Sequence, residues 1–130
     1  MPASLNVRQA VDGFIEAINR GQLETVDSLV ASTEDVLGIG SDPDEWWAGR
    51  DRLLSVMNAQ LKEMAGARWE LGEAAGGEGW MAAKCTVTTS GGTRVPGRIT
   101  VVCNKDGRIE HVHFSIGVMN EEAIGQALTT

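Results

Sequence analysis

Hydrophobic residues in the first half of the chain recur at helical spacing. Apolar positions 7, 10, 11, 14, 15 and 18 form one stripe, which predicts a first helix that ends at Gly21. A shorter helix is predicted at 23–30, and a third from about residue 50 to residue 64. Between the second and third helices, residues 36–40 predict a brief strand, and segment 41–49, with its Pro, Asp and Gly residues, predicts a loop.

From residue 67 the pattern changes to strands separated by glycine-rich turns. Four strands are predicted, over 67–75, 80–89, 93–103 and 108–118, followed by a short tail helix at 120–128. Pro96 and Gly97 interrupt the third of these strands, which favours a bulge or an edge position there. Helices segregated from an antiparallel meander are typical of the α+β class. The sequence therefore predicts a single domain over residues 1–130, with three helices packed on a curved, mainly antiparallel sheet.

Composition narrows the set of partners. The net charge is −7, from 18 acidic and 11 basic residues, which disfavours nucleic acid and anionic membranes. No stretch approaches the ~18 apolar residues of a membrane span, and the N-terminal residues lack the pattern of a signal peptide. Cys85 and Cys103 have neither metal-ligand nor redox spacing and are interpreted as small hydrophobic residues. We therefore expect a cytoplasmic protein that binds neither nucleic acid nor membranes.

The last predicted strand carries a polar and an apolar set of side chains on opposite faces. Burial of a large apolar side chain stabilises a fold by about 1.5–3 kcal/mol, whereas burial of an unpaired imidazole is unfavourable. The apolar set should therefore face the helices, and the polar set should face outward. The apolar set is Val112, Phe114, Ile116 and Val118, and the polar set is His111, His113 and Ser115.

His111, His113 and Ser115 are interpreted as residues of a subunit interface. The alternative is a catalytic or metal-binding role, which would need ligands from other elements, and no third ligand is conspicuous nearby. No metal site is expected.

Two segments of the chain resemble a known superfamily. Residues 40–50, Gly-Ser-Asp-Pro-Asp-Glu-Trp-Trp-Ala-Gly-Arg, resemble the strand–loop–helix segment of bacterial SnoaL-like proteins, in which a Trp-x-Gly element opens the third helix. Asp106-Gly107 leading into residues 111–115 resembles the last hairpin of the same group. The whole order of elements is similar to the nuclear transport factor 2-like superfamily, which includes ketosteroid isomerase, SnoaL-type polyketide cyclases and the association domain of calcium/calmodulin-dependent kinase II.

The resemblance implies a cone-shaped, cystatin-like α+β barrel in a bacterial protein that dimerises sheet against sheet. It does not assign a function, because the superfamily includes both enzymes and binding modules. Ketosteroid isomerase uses a carboxylate base, a tyrosine and a protonated acid. This chain has no tyrosine, and the positions that align with the two acids are Ile99 and the apolar pair Leu37 and Gly38. That mechanism is excluded.

Trp46 and Trp47 should lie at the mouth of the cone. Either one indole plugs the open end while the other rests on the surface, or both act as a lid over an apolar ligand. Asp42 is the one weak candidate for an acid or base, although an Asp-Pro step also suits a turn.

A mostly apolar cavity is expected inside the cone. Together with the two tryptophans, its predicted lining is Phe14, Ile18, Met57, Ile99, Val101, Phe114 and Ile116. The first hypothesis is a homodimer that binds a small apolar ligand there without a cofactor. The alternatives are a cofactor-free isomerase, cyclase or dehydratase that acts on a small hydrophobic substrate, and a non-catalytic association module whose cone is filled by side chains.

Overall fold

A computed structural model of the chain describes residues 5–117. The predicted tail helix and Val118 lie outside these residues. The helices are α1 (Leu5–Arg20), α2 (Leu23–Leu29) and α3 (Arg50–Glu63). The strands are β1 (Leu37–Ile39), β2 (Trp46–Ala48), β3 (Arg68–Gly77), β4 (Trp80–Thr88), β5 (Arg94–Cys103) and β6 (Ile109–Ile116).

The strands form one six-stranded sheet in the order β2-β1-β6-β5-β4-β3. All neighbours are antiparallel except β1 and β6, which run parallel. The sheet stays open, with β2 and β3 at its edges, and the three helices pack on its inner face. The predicted α+β class, with three helices on a curved and mainly antiparallel sheet, is confirmed.

The prediction of a loop over 41–49 was wrong at its C-terminal end. The amide of Gly40 donates to the carbonyl of Glu45 over 2.8 Å, and the amide of Glu45 donates to the carbonyl of Asp42 over 2.9 Å. This turn reverses the chain, so that the next three residues pair with β1 as strand β2. Three residues beside Pro, Asp and Gly are too few to produce a periodic signal in the sequence.

Of the two alternatives predicted at Pro96 and Gly97, a bulge or an edge position, the bulge is not observed. The β4–β5 ladder runs through both residues without a shift of register, and Pro96 lies one residue beyond the last residue that pairs with β6. The irregularities lie instead in β3, between Leu71 and Ala74, and between β5 and β6 near Cys103. Because an extra residue on one strand bends a sheet, these two places contribute to its curvature.

Arg50 fixes the start of α3 against the end of α2. Its guanidinium donates to the carbonyls of Val30 and Ala31 over 3.1 Å and 3.2 Å, and it pairs with the carboxylate of Asp27. The guanidinium thereby donates to carbonyl oxygens at the C-terminal end of α2, where a positive charge is favoured, and ties the first residue of α3 to that end.

Phe114 on β6 is at the centre of the core. Its ring stacks on Phe14 of α1, with centroids 6.0 Å apart, and meets the edge of Trp69 of β3 at 5.4 Å. Val112 on the same strand is fully buried, whereas His113 between them is exposed. Val112, Phe114 and Ile116 of the predicted apolar set therefore pack on the core side of the sheet, as predicted.

Gly38 lets the helices lie close to β1. A Cβ atom at this position would lie 2.5 Å from Cδ1 of Leu53 on α3 and 3.0 Å from Cε3 of Trp47. Both neighbours are buried, so neither side chain can move aside without disturbing the core.

We expect Gly38→Ala to lower the free energy of unfolding by about 1–3 kcal/mol, because it overpacks the contact between β1 and α3. Adding Leu53→Val should recover part of that loss. Chemical denaturation of the single and double variants measures both effects. Gly91→Ala, in an exposed turn where a Cβ meets nothing closer than 3.9 Å, is the matched control. Equal losses from the two glycine substitutions would contradict this account.

Candidate functional site

The narrow part of the cone is filled by side chains, and a cavity of about 190 Å³ remains at its open end. It lies between the C-terminal ends of α1 and α3, the first residues of β3, and β6. Its wall is mainly apolar. The residues that line it are Ile18, Asn19, Arg20, Gly21, Met57, Gln60, Leu61, Met64, Ala65, Gly66, Ala67, Trp69 and Phe114. We call it the larger cavity.

An amide clamp holds one wall of the larger cavity in place. The side-chain nitrogen of Asn19 donates to the carbonyl of Trp69 over 2.9 Å, and the amide of Trp69 donates to Oδ1 of Asn19 over 2.6 Å. These two bonds attach the end of α1 to the start of β3, which fixes the indole of Trp69 between the larger cavity and Phe114. Both polar ends of Asn19 are therefore engaged. No sequence pattern had indicated this long-range pair.

Few polar groups of the larger cavity are available to a ligand. Arg20 is exposed at the rim and pairs with Glu16 over 2.8 Å. Gln60, half-buried on α3, is the main uncharged polar group of the wall. Within residues 5–117, no aspartate, glutamate or histidine lines this cavity. Its wall therefore suits an apolar molecule and supplies no general acid or base.

A second cavity, of about 60 Å³, adjoins the first toward β1 and β2. We call it the smaller cavity. It shares Gln60, Met64, Trp69 and Phe114 with the larger one. The remaining residues of its wall are Gly40, Ser41, Glu45, Trp47 and Ile116. It therefore combines aromatic side chains with one carboxylate.

Glu45 is held against the smaller cavity by the turn that precedes β2. Its Oε1 accepts a hydrogen bond from the amide of Asp42 over 2.9 Å. A Cβ on Gly40 would lie 2.7 Å from Cβ and Cδ of Glu45 and 2.8 Å from the indole of Trp47. Only glycine at position 40 leaves room for the carboxylate and the indole side by side.

Some of the predicted pocket residues line a cavity and others do not. Ile18 and Met57 line the larger cavity, Trp47 and Ile116 line the smaller one, and Phe114 lines both. Phe14, Ile99 and Val101 pack in the core and line neither cavity.

Of the two alternatives predicted for the tryptophans, the lid over a ligand is not formed. Trp47 is buried beside the smaller cavity, whereas Trp46 is 61% exposed on the opposite face of β2. This arrangement matches the first of the two alternatives, with one indole at the open end and the other on the surface. Asp42 is exposed and lines neither cavity, and Glu45 is the carboxylate that does. Glu45 was missed because the turn geometry that directs its side chain inward is not visible in the sequence.

His111, His113 and Ser115 lie on the outer face of the sheet. His111 is directly opposite Leu37 and Val102, and His113 is directly opposite Ile39 and Thr100. The imidazoles do not converge inside the cone. Partial burial, and secondly the neighbouring His113, lower the pKa of His111 below its ordinary value.

The two thiols take no part in either cavity. Cys85 and Cys103 are buried and unbonded, and burial raises the pKa of both, with Glu110 adding to the effect at Cys103. A raised pKa keeps a thiol protonated and unreactive at neutral pH.

Within residues 5–117, no group of three or more potential ligands is arranged to hold a metal ion. None of the helices in that part of the chain is long and apolar enough to cross a membrane.

Solved structures with the same fold include both enzymes and proteins of unknown function. A nuclear transport factor 2-like protein of unknown function from Mesorhizobium loti is 17% identical, with 87% of this chain and 92% of that chain covered and a TM-score of 0.70. SalBIII, an epoxide hydrolase/cyclase-like enzyme of pyran ring formation in the polyether salinomycin, is 16% identical, with 86% and 91% covered and a TM-score of 0.70.

A de novo designed protein with a curved β-sheet is 12% identical, with 95% of both chains covered and a TM-score of 0.71. At these identities the similarity establishes the cone fold alone. No curated protein matches the chain at a significant level of sequence similarity. The SnoaL-like domain family matches residues 7–119, which is most of the chain. The protein therefore belongs to the SnoaL-like domain family.

Proposed function

We propose that this protein binds a small, mostly apolar molecule in the larger cavity, as a homodimer. The observation that carries the proposal is an apolar cavity of about 190 Å³ at the open end of a cone whose narrow part is filled by side chains. An engineered apolar cavity of about 150 Å³ holds benzene. The larger cavity therefore has room for a group of about the size of one aromatic ring.

Binding is favoured over catalysis by the chemistry of the cavity wall. Isomerisation, cyclisation and dehydration without a cofactor each need a group that moves a proton at the reacting atoms. Within residues 5–117 no such acid or base lines the larger cavity, because Glu45 lines only the smaller cavity and Asp42 is exposed and lines neither. A module with a completely filled cone is also disfavoured, because the core leaves this space open.

The outer face of the sheet supports the homodimer. Two adjacent rows of residues that are directly opposite one another across the sheet carry no charged side chain. One row is Trp46, Ile39, His113, Thr100, Ala82 and Ala75, and the other is Ala48, Leu37, His111, Val102, Trp80 and Gly77.

These two rows cross all six strands without an aspartate, glutamate, lysine or arginine, although the chain has 18 acidic and 11 basic residues. Trp46 is 61% exposed and Trp80 is 42% exposed, at opposite sides of this uncharged surface. Exposed apolar surface of this kind marks an interface, and a two-fold axis pairs the same patch on two copies.

Ligand binding is tested by thermal unfolding with toluene, indole and 2-phenylethanol as probes. A probe at 100 times its Kd stabilises the protein by about 2.7 kcal/mol, which raises the midpoint by roughly 10 °C. Leu61→Trp should abolish the rise by filling the larger cavity, which Leu61 lines. Lys62→Trp, at the next and exposed position of α3, should retain it. No shift with any probe would refute a ligand-binding role.

Dimerisation is tested by sedimentation equilibrium. The wild type should sediment at twice 13.9 kDa. Trp80→Glu and His113→Glu should each weaken the dimer by at least about tenfold, because each places an unpaired charge in the contact. Lys62→Glu, on α3 and away from the outer face, is the control. A monomeric wild type, or unchanged sedimentation of both outer-face variants, would rule out this interface.

The lowered pKa of His111 predicts a pH-dependent stability. In the folded state His111 takes up a proton less readily than in the unfolded chain. Its stabilising contribution is therefore fully present above the ordinary value of about 6.5 and is lost as the pH falls below that value. Denaturation at pH 7.5 and pH 5, at fixed protein concentration, should show a smaller loss of stability for His111→Asn than for the wild type. Equal losses would show that the titration of His111 is not coupled to folding.

A further inference from the structure

We infer that the ligand carries a positively charged ammonium group, which binds in the smaller cavity against Glu45. The inference rests on the proposed binding function and names the chemical class of the ligand. Its apolar part occupies the larger cavity, and its cationic end lies between the carboxylate and the aromatic side chains beside it.

The two cavities are arranged to hold the two ends of one molecule. They adjoin along a wall to which Gln60, in the last turn of α3, and Met64, the residue after the helix, both contribute. Both side chains are long and unbranched, and Met64 is 36% exposed, so a change of rotamer is enough to open the wall. A molecule with an apolar ring and a short chain can then reach from one cavity into the other.

The carboxylate of Glu45 has unused capacity to accept hydrogen bonds. One oxygen accepts the amide of Asp42, whereas a carboxylate offers about four lone-pair sites in total. The ion pairs within residues 5–117 do not include Glu45, so no lysine or arginine of this part of the chain neutralises it at close range. An ammonium donor is the natural partner for such a group, because hydrogen bonds between two charged groups are the strong ones.

Aromatic side chains around the smaller cavity favour the same ligand. Trp47, Trp69 and Phe114 all line it, and all three are buried. Faces of tryptophan and phenylalanine attract ammonium groups through the ring quadrupole, and aromatic side chains commonly surround such groups in binding sites. A volume of about 60 Å³ accepts an ammonium or methylammonium group, since a water molecule takes up about 30 Å³ in the liquid.

A ligand with an anionic group in the smaller cavity is disfavoured by the carboxylate and by the net charge of the chain. The carboxylate would repel it at close range, and the net charge of −7 lowers the local concentration of anions while attracting cations. A neutral alcohol could donate to Glu45, but it would gain neither the charge–charge attraction nor the attraction to the rings.

The inference is tested by calorimetric titration with three phenylalkylamines, which have one, two or four methylene groups, and with the corresponding alcohols. For at least one chain length the wild type should bind the amine roughly tenfold or more tightly than the alcohol at low salt, with a preference that decreases as sodium chloride is added. Glu45→Gln should reduce the amine affinity to about that of the alcohol. Glutamine keeps an oxygen that can accept the amide of Asp42, so the turn is retained while the charge is removed.

Asp44→Asn is the matched control, because it removes an equal charge one residue away, from an exposed carboxylate that lines neither cavity. It should leave both affinities within about twofold. If amines and alcohols bind equally, or if the two variants behave alike, the ammonium site is refuted while the apolar binding function stands. If neither class binds at all, both proposals fail together.

Discussion

The packing of Phe114 on Phe14 and Trp69 is the contact on which the rest of the structure depends. It joins the middle of the sheet, the first helix and the edge strand β3 at one point, across three segments that are far apart in the chain. Because side chains alternate between the two faces from His111 to Ser115, the burial of this ring also places the histidines on the outer face. The same ring lines both cavities, so the contact at the centre of the core also forms part of the wall of each cavity.

The fold could be predicted further from the sequence than the site could. Periodicity located the helices and the four long strands within a few residues, since each has several turns or alternations. It failed at β2, where three residues beside a turn become a strand only because β1 offers them a partner. It also placed the bulge at Pro96, whereas the ladder there is regular and the irregularity in β3 lies near Gly72 and Glu73.

The residues of the candidate site were harder to predict from the sequence than the fold. The apolar lining by Ile18, Met57 and Phe114 followed from which faces of α1, α3 and β6 are buried. The sequence pointed to Asp42, whereas Glu45 is the carboxylate beside a cavity. This could not be predicted, because the direction of a carboxylate in a turn depends on individual backbone hydrogen bonds. The clamp between Asn19 and Trp69 joins positions that are 50 residues apart, and no local pattern predicts such a pair.

Strand β2 carries side chains on both faces of the sheet, so a movement of the strand affects both faces. It has three residues, lies at the edge of the sheet and, among the strands of residues 5–117, pairs with β1 alone, and its adjacent tryptophans lie on opposite faces. A displacement of this strand cannot move the indole beside the cavities without moving the indole on the outer face. Occupancy on one side and association on the other would then be thermodynamically linked, with each altering the equilibrium of the other by the same factor.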